Sequence, residues 1–589
     1  MTMADVMRDT PVGFIIRWLS GRRFLKYPDE EPGFTLPDTW LQLINEDHKG
    51  AGKSISSQTD STANDLSNKT HKSRESVGSN GATDMEKKIS ATDGPHDDGS
   101  KDPEAANPSP AHQASPEPIV PKVTPDGIIL VDWYHEADPE NPHKWSNGRR
   151  AGVTAIIFFY TFVVYTTSAI YTASEAGVME RFGVNPTKAS LGLSIYVLGY
   201  GIGPLLFSPL SEIPRIGRNV IYIVTMFLFV ILSIPTALAN NYPGLMVLRF
   251  LTAFFGSPCL ASGGATIGDI FSFASVPAMM LIWTAAPFMG PALGPLLSGF
   301  AVPAETWRWS LYISIWVSAP VLIAMFLFLP ETSADNILLR RAQRLRRLTG
   351  SQRLMSQGEI RQKEFKTVHI FADALIKPLE ITFKDPAIFF VQLYTGIIYI
   401  FESFVIVYIN EHGMNFGQLG LVFLCIAVAT FLAVFVYMLY LARYLGPRIM
   451  KHGVPVQEAW LLPSLPASFG PTIGLFIFAW TAKQSIHWIA PTIGITVYAF
   501  SAFILMQCVF VYVPLSYPQY AASLFAANDF VRSSFACGSV LYASPLFKNL
   551  GIGRGTSLLG GLSVLGEIGI FALFFYGARL RARSKFAVS

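Results

Sequence analysis

Arg249, Glu402, Asp529, Arg532 and Glu567 are ionisable side chains set inside stretches otherwise built from Leu, Ile, Val, Phe, Ala and Gly. A charge near the centre of a bilayer costs about 3 kcal/mol or more, so each must be paired, protonated or wetted by a cavity. Removing a carboxylate from water favours its protonated form, which lets such a group load and release a proton near neutral pH. Glu402 fits that role first. At about 1.5 Å per residue it lies roughly 22 Å into a span that starts inside the cell. The structural alternative is a neutral glutamic acid bonded to a neighbouring backbone. Asp529 and Arg532 stand at i and i+3 of one helix and can satisfy one another. Arg249 either snorkels to the outer surface or lines a cavity and tunes a nearby carboxylate. Glu567 has nothing chemically specific beside it in its span.

Two further clusters bear on movement. Ser208 to Arg218 reads SPLSEIPRIGR, a tight Gly/Pro turn with Glu212, Arg215, Gly217 and Arg218 at the membrane surface. Asp269 lies at the same level as a natural partner for Arg215 or Arg218. Charge-assisted hydrogen bonds in such a turn can lock one helix bundle to the other and release it as the bundles rock. The plain alternative is a topological anchor whose arginines bind lipid headgroups. Gly290, Pro291, Gly294 and Pro295 follow Pro287 and precede Gly299. Glycines four apart give a flat face for close helix contact, and each proline removes a donor, so the segment can act as hinge and dry seal between halves. Tyr196, Tyr200, Tyr394, Tyr399, Gln507 and Asn528 supply aromatic faces with a few hydrogen-bonding tips. As a set they suit a large apolar ligand, although any single tyrosine suits ordinary packing equally well.

The elements that must position these residues follow from hydropathy. The chain of 589 residues is 51% hydrophobic and 15% charged. Twelve apolar spans are predicted at 151–173, 189–210, 219–239, 244–267, 277–302, 309–329, 387–409, 419–441, 459–481, 486–513, 519–545 and 556–577. Each is long enough to cross ~30 Å of hydrocarbon as a helix. The short alternating runs of a membrane barrel are absent. Arg149 and Arg150, Arg215 and Arg218, the Arg340–Arg347 group, Arg443 and Arg448, and Arg579 to Lys585 all fall in loops of one parity, which puts those loops and both termini in the cytoplasm. The expected fold is therefore an all-α polytopic membrane protein of twelve helices in two six-helix halves. A cytoplasmic N-terminal region spans 1–145, with 48–123 too polar to order itself. The halves span 146–330 and 387–578, joined by a basic cytoplasmic linker at 331–386, and a short basic tail covers 579–589. Val12 to Leu25 can form an amphipathic helix lying on the membrane surface, or a segment that binds a partner or frays.

Several classes drop out. A net charge of +4 gives no electrostatic support for nucleic-acid binding. Cys259, Cys425, Cys508 and Cys537 lie in apolar runs without ligand spacing, so neither disulfides nor zinc are expected. No cleaved targeting peptide is read at the N-terminus. HExxH, GxSxG and clustered histidines are missing, which argues against an intramembrane enzyme.

With these residues in view, the chain resembles a fungal member of the major facilitator superfamily, specifically the twelve-span drug:proton antiporters of the multidrug resistance type. The resemblance runs from Val131-Asp132-Trp133-Tyr134, Asp138-Pro139-Glu140-Asn141-Pro142 and Trp145 to Leu580-Arg581-Ala582-Arg583-Ser584-Lys585. In the family the turn after span 2 follows a Gly-x-x-x-Asp-x-x-Gly-Arg type. Here Glu212 stands for the aspartate and Ile213 to Ile216 lengthens the spacing. Leu248-Arg249-Phe250 with Gly256-Ser257-Pro258 is similar to the span 4 motif, whose arginine the family implicates in proton exchange. Gly290-Pro291 with Gly294-Pro295 resembles the antiporter motif of span 5, and implies export. Leu329-Pro330-Glu331-Thr332 matches the usual close of span 6, and Phe401-Glu402 and Asn528-Asp529 fall at polar positions of spans 7 and 11. The resemblance implies proton-coupled efflux of hydrophobic drugs, fungicides or toxic metabolites across the plasma membrane, by a monomer that needs protons and a lipid bilayer but no cofactor. Proton coupling would rest on Glu402, Arg249 and Asp529. The alternative is proton-coupled transport of a polar nutrient or polyamine.

Overall fold

The computed structural model describes residues 7–44, 118–364, 376, 379–398, 406–453 and 455–587. One compact unit comprises Met1–Leu36 with Ile119–Ser589. The second unit, Pro37–Pro118, is described only at 37–44, helical from 38 to 44, and at Pro118. Glu402 and Tyr399 lie outside the described residues, as does most of the polar stretch, 45–117.

Among the described residues, nine helices are long and apolar enough to cross a membrane: Asn147–Phe182, Pro186–Glu212, Gly217–Leu238, Tyr242–Ile270, Val276–Ala304, Trp309–Phe328, Phe416–His452, Ile489–Ser516 and Ile552–Arg583. They fall on predicted spans 1–6, 8, 10 and 12. The other three spans are also helical where described. Span 7 begins as Pro386–Ile398. Span 9 is a broken run, Gln457–Leu461, Ser464–Ala467 and Phe469–Thr481, interrupted where Pro463, Pro466 and Pro471 withhold amide donors. Span 11 is the unbroken helix Ala521–Leu550, made more polar by Asn528, Asp529 and Arg532.

Polar caps fix where spans begin. Asn185 accepts from the Lys188 amide at 2.9 Å, Asn241 from Gly244 at 2.7 Å and Asn415 from Gln418 at 2.8 Å, each satisfying an orphan donor of the first turn. Spans 2 and 4 add a proline beside the cap, where no amide is missed. The halves meet chiefly through two helix pairs, span 2 against span 11 and span 5 against span 8, with span 4 also touching span 11 and span 5 touching span 10. Glycine permits the approach. A Cβ on Gly201 would lie 2.4 Å from Cβ of Ser533, and one on Gly420 would lie 2.7 Å from Cα of Leu296.

The basic face carries an ordered collar at the segment read from the sequence as a basic linker. The linker forms the helix Ala334–Thr349, and two of its arginines, Arg341 and Arg344, are spent on buried ion pairs. Arg341, 1% exposed, reaches Asp138 at 2.7 Å and Glu140 at 3.3 Å. Arg344 reaches Asp29 at 2.7 Å and Glu140 at 2.9 Å. Buried charges persist only when paired, so the linker helix is tied both to the segment before span 1 and to the N-terminal region. The strand Ile129–Leu130 pairs in parallel with Leu354–Met355, adding a backbone tie between the same two segments.

Two expectations change here. The polar stretch expected to stay unstructured to residue 123 is already paired from Ile119, whose amide donates to the Tyr134 carbonyl at 2.9 Å, and Val123 bridges Ile129. The aliphatic run Ile128 to Val131 supplies the apolar surface that orders it. The N-terminal helix is Pro11–Leu19, shorter than expected and not merely resting on a surface. Its Arg17 is buried, with Nη2 2.8 Å from Glu30, and Asp9 accepts from Arg149 at 3.2 Å. Charge pairing overrides the simple two-faced pattern.

Candidate functional site

The inner half of the interface between the halves is filled. Trp283 of span 5 stacks on Phe510 of span 10 at 5.5 Å, and Phe525 of span 11 closes the group at 5.3 Å from Phe510. The Trp283 indole donates to Thr161 at 3.1 Å, which fixes the ring. Gln507 crosses from span 10 to span 5. It accepts from the Thr284 hydroxyl at 2.9 Å and donates to the Pro277 carbonyl at 2.9 Å. These contacts close the molecule toward the basic face.

The outer half holds a cavity of about 430 Å³, large enough for a drug-sized molecule. Spans 1 and 2 of the first half face span 11 and the outer ends of spans 5 and 8 across it. Tyr165 and Tyr200 set two rings 5.3 Å apart on its wall, while Leu193, Pro291, Phe423 and Val540 supply apolar surface. Its carboxylate among the described lining residues is Glu175, which accepts from Ser190 at 2.8 Å. Sequence reasoning placed Glu175 in an outer loop because apolarity fades after Ala173. The helical turns continue through Phe182, and only that continuation puts the carboxylate in the wall.

Of the predicted cavity residues, Tyr200 is in this wall. Tyr196 is not: it is fully buried under Arg249, with its hydroxyl donating to the Val164 carbonyl at 3.0 Å. Tyr394 stacks on Phe390 at 5.7 Å against the bare face of Gly566. Asn528 donates to Thr395 at 2.8 Å, and Gln507 belongs to the inner closure. Helical periodicity identifies inward-facing residues but does not give the depth at which the halves part.

The span charges find partners. Arg249 neither snorkels nor reaches the cavity wall. It lies over the rings of Tyr196 at 4.3 Å and Tyr171 at 4.6 Å, and donates to the carbonyls of Gly192 and Thr167, both at 3.2 Å. It thereby ties span 4 to spans 1 and 2. Asp529 pairs with Arg532, and both meet the Tyr165 hydroxyl of span 1, so this group bridges the two halves. The second oxygen of Asp529 has no hydrogen-bond donor among the described residues. Arg249 and Asp529 share no contact. Glu567 accepts from Thr472 of span 9 and is structurally satisfied.

The predicted gate is built differently from expectation. Arg218 pairs with Asp269 at 2.5 Å, as the spacing suggested, but Glu212 and Arg215 are exposed. The second carboxylate is Glu331 at the close of span 6. It accepts from the amides of Arg218 at 3.1 Å and Asn219 at 3.2 Å. Gly217 adopts φ +75°, and a Cβ there would lie 2.3 Å from Glu331. Every partner belongs to the first half, so the network braces spans 3, 4 and 6 and does not lock the two halves together. The span 6 closing motif was the available signal for Glu331.

Span 5 also corrects its reading. Val276–Ala304 is a continuous helix despite Pro287, Pro291, Pro295 and Pro303. Gly290 and Gly294 face span 1 of the same half, with virtual Cβ positions 2.6 Å from Tyr165 Cβ and 3.0 Å from the Ile170 amide. The glycine contacts between halves are made further out, by Gly299 against the Phe416 backbone and by Gly420 against Pro295 and Leu296. Gly290→Leu is expected to lower the thermal midpoint in detergent, with an overpacking cost of about 1–3 kcal/mol or more, because the neighbouring atoms are largely backbone. An unchanged midpoint would show that spans 1 and 5 are not packed this closely.

The pattern of the Major Facilitator Superfamily matches residues 157–538 of this chain. The chain belongs to that superfamily. This superfamily member is 38% identical over 99% of its length to the whole of the MFS-type transporter pyvG of Aspergillus violaceofuscus. It is 33% identical over 99% of its length to the whole of the cycloheximide resistance protein of Candida maltosa. Over 77% of its length it is 37% identical to fluconazole resistance protein 1 of Saccharomyces cerevisiae, covering 84% of that protein. Among solved structures, the proton:xylose symporter XylE superposes over 73% of this chain and 97% of its own with a TM-score of 0.53 at 12% identity. That likeness establishes the shared fold. The protein is thus a multi-pass membrane transporter, with the two-half helical architecture that the hydropathy predicted.

Proposed function

We propose that this transporter exports hydrophobic small molecules, including toxic drugs, across the plasma membrane in exchange for protons, acting as a monomer by alternating access. The observation that carries this reading is the cavity between the halves, largely apolar and aromatic, with Glu175 and the hydroxyls of Tyr165 and Tyr200 as polar points. The conformation supports it too, being closed at the basic, cytoplasmic face and hollow in the outer half, as a state releasing cargo outward must be. The names of the cycloheximide and fluconazole resistance relatives favour drug export over other cargo. A polar nutrient or polyamine would call for several cavity carboxylates, and the described lining offers Glu175.

A proton crossing ~100 mV supplies about 2.3 kcal/mol, and one pH unit adds about 1.4 kcal/mol. Together they can concentrate a neutral substrate several-hundred-fold, so no nucleotide or other cofactor is required. Proton coupling is assigned to Glu402, Arg249 and Asp529, with Arg249 acting through its neighbours. The test is accumulation of labelled hydrophobic compounds in cells lacking competing exporters, with and without a protonophore. Export is expected to stop when the gradient collapses, and Glu402→Gln is expected to stop it while substrate binding stays measurable. Export that survives the protonophore would overturn the coupling, and normal export by Glu402→Gln would move the proton role elsewhere.

A further inference from the structure

Between the N-terminal helix and the linker helix lies a cleft of about 250 Å³, separate from the cavity between the halves. Two arginines in it, Arg17 and Arg344, are committed to Glu30 and to Asp29 and Glu140. Arg22, Arg340 and Arg347 also line it, and none has a carboxylate within ion-pair distance among the described residues. Arg340 lies over the Phe14 ring at 4.3 Å, which holds it at the wall. The cleft therefore keeps three arginines with no ion-pair partner among the described residues.

Its position is as telling as its charge. The N-terminal helix packs against span 6. Asp9 accepts from Arg149 at the start of span 1, and the Asp9 carbonyl accepts from the Glu331 amide at 3.2 Å. These ties hold the helix at the inner ends of spans 1 and 6, where the bilayer surface must lie. Ile15, Trp18 and Leu19 on the same helix are 45%, 80% and 71% exposed. Trp and Arg side by side at this level suit the boundary between headgroups and acyl chains. The turn that follows places Arg22 and Leu25 at φ +67° and +53°, a left-handed region that non-glycine residues rarely adopt. Arg17 stabilises it by donating to the Leu25 carbonyl.

We propose that this cleft binds an anionic glycerophospholipid, the headgroup phosphate between Arg22, Arg340 and Arg347 and an acyl chain beside Ile15, Trp18 and Leu19. Cationic and apolar surfaces in one cleft match an amphiphile better than a free phosphate. Bound lipid would add to the collar that holds the N-terminal helix against the linker, independently of the cargo and of the transport mechanism.

The test uses the full chain purified in a non-ionic detergent, titrated with dioctanoyl phosphatidylinositol 4-phosphate, dioctanoyl phosphatidylcholine and inositol 1,4-bisphosphate. Saturable binding of the phosphorylated lipid is expected, at least tenfold tighter than either comparator. The exposed double substitution Arg22→Gln/Arg347→Gln should weaken it at least tenfold, and Trp18→Ala severalfold, with thermal midpoints unchanged in the absence of lipid. Equal affinity for inositol 1,4-bisphosphate would overturn the lipid assignment in favour of a soluble phosphate. Undiminished lipid binding by the double variant would overturn the site itself.

Discussion

Arg341→Ala should unfold the collar on the basic face and lower the yield of folded transporter more than any substitution in the cavity wall. The guanidinium is buried against Asp138 and Glu140 and lies 4.2 Å from the Tyr134 ring. Its loss strands Asp138 out of water and leaves Glu140 to Arg344 alone, at a cost of about 3–5 kcal/mol. Arg341→Lys should recover only part, because one ammonium cannot serve two carboxylates in the planar manner of a guanidinium. Burial alone would raise the pKa of Asp138, but the Arg341 guanidinium and the amides of Tyr134 and Glu140 outweigh it and hold the carboxyl below its ordinary value. A depressed carboxylate contributes stability that is complete above its unfolded pKa and is lost as the pH falls through its folded value. The collar should therefore be indifferent to pH between about 5 and 8 and loosen below about 4. Limited proteolysis at 129–145 and 350–356 reads both effects. Cleavage of Arg341→Ala no faster than the parent would show that the pairing contributes little.

The second large effect is expected at Asp529→Asn, which should reduce proton-driven export at least tenfold while leaving substrate affinity within a few fold. Asp529 and Arg532 on span 11 meet the hydroxyl of Tyr165 on span 1, and Tyr165 is itself part of the cavity wall. Protonating Asp529 would remove the charge that holds Arg532, freeing it to strengthen or release its bond to Tyr165. One proton would thus reach both a contact between the halves and the cargo surface. Asparagine imitates the protonated state permanently, so binding should lose its pH dependence. A pH profile of binding in Asp529→Asn that matches the parent would place the titrating group elsewhere. The comparison with Glu402→Gln then separates the two carboxylates.

The helical plan was legible in the sequence because bilayer thickness and backbone satisfaction leave few choices for long apolar runs. Each predicted span coincides with helix over most of its described length, even span 9, whose prolines break it into short pieces. Individual charges were legible only where a local rule applied. Asp529 with Arg532 follows from spacing on one helix, and Arg218 with Asp269 from a shared membrane level. What the sequence hid were pairs made at long range. Glu331 beneath Gly217, Arg341 on Asp138 and Arg344 on Asp29 join segments more than a hundred residues apart, and no periodicity announces them. The linker arginines illustrate the cost of an average rule: positive loops do mark one face, yet Arg341 and Arg344 on that face are spent on ion pairs, not on lipid. Glu175 was missed for the opposite reason, since its helix outlasts its apolarity.

The central claim, exchange of a hydrophobic cargo for protons, is tested most directly by proton flux in proteoliposomes holding only the purified transporter, with no imposed pH or voltage difference. A gradient of a transported compound should drive protons in the direction opposite to the compound, and Asp529→Asn should show no such flux. Proton movement in the same direction as the compound, or compound movement with no proton movement, would contradict it.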